Sequence, residues 1–338
     1  MKKIVLILLA MLLFMPNVHA SNLVERENYL KDSLIVVGLP DFPPFAWYDE
    51  QNRFYSAFLQ PTIEFMKKQQ VEIVPAKQSR KDMHDLQTTL IDTRSGLYNL
   101  FIGANSDTKL YKGLMMIYPA SVSNPIHLIT YRDAKIHNQI HNINDLQKLR
   151  GVVSRSEYFS DFVLRKFKEL NVEFVADSLE AYRKIITSEA DYMMGSLYFN
   201  RIEAAKYGLE TYLTYSKKPL YKIPIFIAIS KETPLLSQYL NAFKIEFSNP
   251  DYSLAVKKEI VRIINEETEK YVGVVPPSFA LREENEVVPE STTEVETPEF
   301  TVDATDNESD DEMNAIIIEH NAQQKNSEEV MDEIINEI

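Results

Sequence analysis

The sequence predicts an α/β protein made of two successive βαβ blocks on largely parallel sheets, with closing helices and an acidic tail. Three observations predict it. Short β-branched runs alternate with stretches whose apolar residues recur at helical spacing, the pattern of a parallel sheet covered by helices. The alternation occurs twice, over about 33–125 and again from about 143, with no close internal repeat. The chain has 338 residues, 45 % apolar and 25 % charged, an ordinary globular composition for one large or two ordinary domains. A chain of this size buries a full core without disulfides or metal.

Residues 1–20 begin with Lys2 and Lys3, continue as an apolar run from Ile4 to Met15, break at Pro16 and Asn17, and end in Val18-His19-Ala20. The run is about 12 residues, short of the ~20 that span a bilayer. It reads as a cleaved signal peptide of bacterial type, with an uncleaved anchor as the alternative, and it points to the periplasm or the exterior. No later apolar run is long enough to span.

After a polar lead-in, 33–38 (Ser-Leu-Ile-Val-Val-Gly) reads as a buried strand. Three prolines keep 39–47 out of a helix, leaving an aromatic loop at the strand's carboxyl end. A helix is expected over 55–70, a strand over 71–74, a helix over 83–94 and a strand over 97–102. Ligands on such sheets bind beyond the carboxyl ends of the strands. That places interest on 42–47 and 103–111. A strand over 125–130 precedes the second block. There, a short helix begins at Asn144 and ends at Gly151, and a strand starts at Val152. A turn over 154–160 feeds a helix to about 170. A strand over 172–175, a helix over 178–187, and a strand over 190–195 followed by a turn come next. A strand over 221–229 carries Pro224, and helices over 234–247 and 252–265 close the fold.

Beyond 281 the character changes. Residues 282–338 hold 19 acidic and 2 basic side chains, about −17 of the chain's net −14, so the body is nearly neutral. Residues 282–312 lack the apolar area to offset chain entropy, and a disordered tail is expected. Ile316-Ile-Ile318 and Val330 to Ile338 recur at near-helical spacing, as a transient helix or one that folds on a partner.

Composition excludes several classes. There is no Cys, so disulfides, thiolate metal sites, thiol catalysis and lipid attachment through Cys are excluded. With 8 Gly and no G-x-G-x-x-G or G-K-[ST] run, a nucleotide phosphate cradle is missing. A nearly neutral body lacks the basic face that nucleic acid requires. Six scattered His residues give no metal motif; His137 and His141 lie four apart in a polar stretch. No cofactor is expected.

The run Leu34 to Phe45, ending Asp41-Phe-Pro-Pro-Phe45, resembles the opening of family 3 solute-binding proteins, the amino-acid-type receptors of bacterial ABC importers. Asp49 to Asn52 stands for the following turn, and Ala57-Phe58 for the Gly-Phe helix start. Residues 98–108 resemble the family's "Asp-hydrophobic-Gly-x-Ser/Thr-x-Thr" strand. Residues 146–151 resemble "Asp-Leu-x-Gly-Lys", and 190–196 resemble the "Val-Asp-Ala" strand. The resemblance spans about 33–270. It implies a two-lobed, type II periplasmic-binding-protein-like fold with a ligand cleft between the lobes. Lobe one would be 33–125 plus 225–275, lobe two 130–220, with hinge closure around the ligand.

Candidate ligand-binding residues follow. Phe42, Phe45 and Trp47 offer aromatic faces, with core packing of Phe45 and Trp47 as the alternative. Asn105, Ser106 and Thr108 offer hydrogen-bonding groups after the third strand, with ordinary turn chemistry as the alternative. Where the family places a carboxylate-clamping Arg, this chain has Tyr111, flanked by Lys109 and Lys112; a lysine is a point charge and does not replace the fork. Where the family places an acid for the ligand ammonium, it has Ser196. A standard α-amino acid therefore loses both halves of its clamp. Arg155 and Ser156, beside Ser154 before a helix, could hold an anion, or Arg155 could pair on the surface with Glu157 or Asp161. Tyr158, Tyr198 and Phe199 could edge the cleft or simply pack.

The expected function is a periplasmic solute-binding protein, not an enzyme, acting in ABC-type uptake or sensing. Its partners would be a small molecule and an ABC permease or another envelope protein. The alternative is a ligand-free adaptor that uses the fold surface and tail. An enzyme of this fold, such as a dehydratase, would need a cleft acid with a raised pKa; Asp41, Asp107 and Glu157 are candidates by position alone.

Overall fold

The computed structural model describes residues 33–76, 86–105, 109–132, 134, 136, 140 and 143–281. The leader, the tail, His137, His141, Ser106, Asp107 and Thr108 lie outside the described residues.

The first lobe is organised around β1 (Ser33–Gly38), whose Leu34, Val36 and Val37 are buried. The meander β2 (Asp41–Phe42), β3 (Ala46–Tyr48) and β4 (Phe54–Tyr55) follows. The loop expected over 39–47 is therefore a tight hairpin. Pro43 and Pro44 sit at the corner, Pro40 precedes the first strand, and Asp41 and Phe42 are left free to pair with Trp47 and Ala46. Gly38 permits this: a Cβ there would lie 2.7 Å from the Ile102 carbonyl oxygen and 2.8 Å from the Ala46 Cβ.

Helix α1 (Leu59–Lys68) buries Phe65 and Met66, and β5 (Glu72–Pro75) pairs in parallel with β1. Helix α2 (Leu86–Arg94) leads to β6 (Leu100–Ala104), parallel to β1 on its other side, and β7 (Leu114–Met116) follows.

Strand β8 (Val122–Tyr131) enters the second lobe. A 3-10 turn (Ile143–Lys148) stands where a helix ending at Gly151 is expected; Gly151 instead opens β9 (Gly151–Ser154), closely covered by the Tyr192 ring. Helix α3 (Asp161–Lys168), β10 (Val172–Val175), α4 (Ser178–Ile186) and β11 (Tyr192–Ser196) complete a parallel β10-β9-β11 set, with β8 antiparallel to β11. After β11 comes α5 (Leu197–Lys206), where the sequence predicts a turn. Its residues from Leu197 to Asn200 are all buried, so no polar face marks a helical period. Strand β12 (Leu213–Tyr215) pairs with β8.

Strand β13 (Tyr221–Ser230) joins the lobes. Tyr221 to Ile225 pair antiparallel with β8, with Pro224 opposite Ser123; the continuation pairs with β6 and β7. A register shift between Phe226 and Ile227 marks the crossing. Helices α6 (Leu236–Phe247) and α7 (Pro250–Glu269) then close lobe one, with Phe247 stacked on Tyr252 and tilted against Phe243, and Tyr252 bonded to Thr62 at 2.9 Å. Among the described residues no helix is long and apolar enough to cross a membrane.

Candidate functional site

Parallel strands bring the carboxyl ends of β1 and β6 to one edge of lobe one, and those of β9 and β11 to one edge of lobe two. Side chains beyond these ends meet. The Phe42 ring lies 5.4 Å from Tyr158 in an edge-on contact and 5.7 Å from Phe199, and Phe45 lies 6.0 Å from Tyr198. Phe42 and Phe45 belong to lobe one, and Tyr158, Tyr198 and Phe199 to lobe two. Phe42 is 1 % exposed, so in this structure its ring fills the space between the lobes. Ring contacts of this kind add about 0.5–1.5 kcal/mol each beyond area burial.

Behind the aromatic wall lies a polar cluster in lobe two. Ser196 caps α5: its hydroxyl accepts from the Phe199 N–H at 3.3 Å and donates to Asn124 Oδ1 at 2.5 Å. Glu157 reaches the same helix start. Its Oε2 accepts from the Ser196 N–H at 2.6 Å and its Oε1 from Asn200 Nδ2 at 2.7 Å. Asn200 is fixed in turn, because its Oδ1 accepts from the Tyr182 hydroxyl at 2.7 Å. Burial away from water pushes the Glu157 carboxyl up to about 8, against the two donors that favour its charged form. With both oxygens engaged inside the protein, Glu157 ties a loop to a helix. It is not poised to hand a proton to a substrate. Its place as a structural tie is partly legible in the sequence, where a capping serine at 196 is followed by Asn200 one helical turn later.

The other sequence candidates are dispersed. Tyr111 stands in the lobe-one core, 2 % exposed with its ring 5.7 Å from Phe101, and does not take the cleft position of a clamping Arg. Arg155 is exposed, and its guanidinium lies 5.6 Å over the Phe174 ring on the outermost strand of lobe two. Its backbone N–H pairs with Val175, which draws it that way. It is not paired with Glu157. Ser156 is exposed and bonded to Ser154 at 2.6 Å. Asn105 is buried at the end of β6. Asp41 is exposed on the rim of the hairpin.

Trp47 points elsewhere. It stacks on Tyr55 at 5.5 Å, across the β3–β4 pair, and lines a cavity of about 680 Å³ on the flank of the lobe junction. The meander of β2 to β4, the C-terminal end of α5 (Ile202, Lys206) and α7 enclose it.

No protein-family model and no curated protein sequence matches the chain. Solved structures do. A binding component of an ABC transporter from Wolinella succinogenes, complexed with lysine, superposes with a TM-score of 0.52 at 17 % identity, covering 69 % of this chain and 96 % of that one. A variant of ArgBP from T. maritima gives 0.48 at 17 % identity, covering 70 % and 98 %. A histidine kinase sensor domain with similarity to periplasmic binding proteins gives 0.46 at 14 %, covering 72 % and 98 %. At 17 % identity the first of these likenesses is one of fold: the chain has the two-lobed architecture of periplasmic binding proteins.

Proposed function

We propose that the chain is a non-catalytic periplasmic binding protein whose lobes, 33–125 with 225–275 and 130–220, close on a small solute. The observation that carries this reading is the pair of aromatic walls, Phe42 with Phe45 and Tyr158 with Phe199, meeting at facing strand ends beside the β13 crossing. A solute entering there displaces Tyr158 and Phe199 from Phe42 and takes their place against its ring. The core position of Tyr111 and the engaged Ser196 argue against the zwitterion clamp of an α-amino acid. A flat or apolar solute with few charges suits the walls better. Export through residues 1–20 and service to an ABC permease or a sensor belong to the same reading.

A second reading has its own observation. The space between the walls is already filled by Phe42, which favours a ligand-free adaptor. Thermal unfolding of the chain from Ser21 onward, against amino acids, carboxylates, sugars, polyamines and peptides, separates the two. A bound solute at about 100 times its Kd stabilises by about 2.7 kcal/mol. Phe42→Ala, which takes away the ring the solute stacks on, should remove that stabilisation, whereas Tyr158→Ala should preserve it. No stabilisation by any class, with no solute retained in native mass spectra, would leave the adaptor reading standing.

A further inference from the structure

The cavity lined by Trp47 is separate from the aromatic walls between the lobes: Phe42, Tyr158, Phe199 and Glu157 do not line it. Its volume, about 680 Å³, falls within the ~300–1,000 Å³ of small-molecule sites. Its charges sort into two groups. The bases are neutralised by neighbours: Arg53 by Asp49 at 2.7 Å, Arg262 by Glu259 and Glu266 at 2.6 Å each, Lys270 by Glu267 at 2.6 Å, and Lys206 by Glu203. Two lining carboxylates, Asp41 and Glu50, show no ion pair among the described residues, although Asp41 also acts on Lys206 through space. The lining thus carries six acidic and four basic side chains. Beside this surplus stands the half-buried indole of Trp47, held in place by its stack on Tyr55. An aromatic face next to carboxylates in excess of the bases is the chemistry that holds an organic cation. The same surplus repels an anion, so the chain's own acidic tail is a poor occupant.

We propose that this cavity is a second binding site, taking an organic ammonium or guanidinium with an apolar body, with Trp47 against the cation and Asp41 and Glu50 as its counter-charges. Because Ile202 and Lys206 come from lobe two and the rest of the lining from lobe one, occupancy bridges the lobes. The proposal does not depend on a solute between the lobes.

Trp47 is the single tryptophan of the chain, so its emission reports this cavity directly. The full chain is titrated with benzyltrimethylammonium, with benzyl alcohol as a neutral analogue and benzoate as an anion. The expected result is a saturable change in emission with the cation, at least tenfold weaker with the alcohol and absent with benzoate. Affinity should fall at least tenfold in Asp41→Asn/Glu50→Gln, two exposed positions whose exchange leaves the fold in place, and should weaken with salt. No saturable response to the cation, an equal response to benzoate, or an undiminished response in the double variant would overturn it. A solute panel that fails between the lobes leaves this titration unaffected, so the two failures are distinguishable.

Discussion

Glu157 shows how one side chain can be set against water. Its carboxyl is walled off beside Gly195, where a Cβ would come within 2.5 Å of its Oε1. Burial raises its pKa from the ordinary 4.5 to about 8, and the neighbouring Glu203 adds to the effect. The sign of the consequence is fixed by proton counting. Between about 4.5 and 8 the native state holds a proton that the unfolded chain has lost, so stability falls as pH rises through that window and levels off above it. The loss is on the order of several kcal/mol. Urea unfolding at pH 5.5 and pH 9 should show it, and Glu157→Gln should flatten the slope. A wild-type protein equally stable at both pH values would contradict the assignment.

At the scale of elements, the helices of lobe two are started by side chains rather than by propensity. The Asp177 carboxylate accepts from the Glu180 N–H at 2.9 Å, while Glu180 accepts from the Ala176 N–H at 3.1 Å, a reciprocal arrangement at the start of α4. Asp177→Ala should cost about 1 kcal/mol, seen as a lower urea midpoint at unchanged slope. Such caps are local and readable: Asp177 stands just before the apolar period of Ala181, Tyr182 and Ile185. Helix α5 has an equally good cap in Ser196, yet its period is hidden because α5 is packed on nearly every side. Strand β13 makes the complementary point. Pro224 reads as an interruption, but the strand runs through it because the residue lies opposite Ser123 at the handover from one sheet to the other.

At the scale of the molecule, the lobes are joined more firmly than by β8 and β13 alone. Helices α5 and α7 pack together across the junction, and Leu197, Tyr198, Phe199 and Ile202 enter the core of lobe one. Beyond α7 the chain continues over Gly208, and Phe279 and Ala280 join the core of lobe two beside α4. Gly208 has φ +65°, and a Cβ there would run into the Val274 carbonyl oxygen. Gly208→Ala should therefore cost about 1–3 kcal/mol. It should also increase the radius of gyration in solution scattering and speed proteolysis within 270–281. An unchanged radius and unchanged stability would show that this strap does not restrain the lobes.

The α/β class, most strands and helices, and the breaks at Gly, Pro and capping residues are legible in the order of residues, because each depends on neighbours within a few residues. The same order marks Phe42 and Ser196 as positions at strand ends. What those positions touch follows from packing between distant segments. Phe42 meets Tyr158 and Phe199 because strand ends more than a hundred residues apart in the sequence face each other. Trp47, two residues beyond Phe45, turns to the flank because β3 pairs with β4 and alternation sends its ring to the Tyr55 side. Glu157 owes its raised pKa to burial under a helix that no periodicity announced. Side-chain direction, burial and charge balance are sums over contacts between distant segments, and local sequence patterns do not contain those sums.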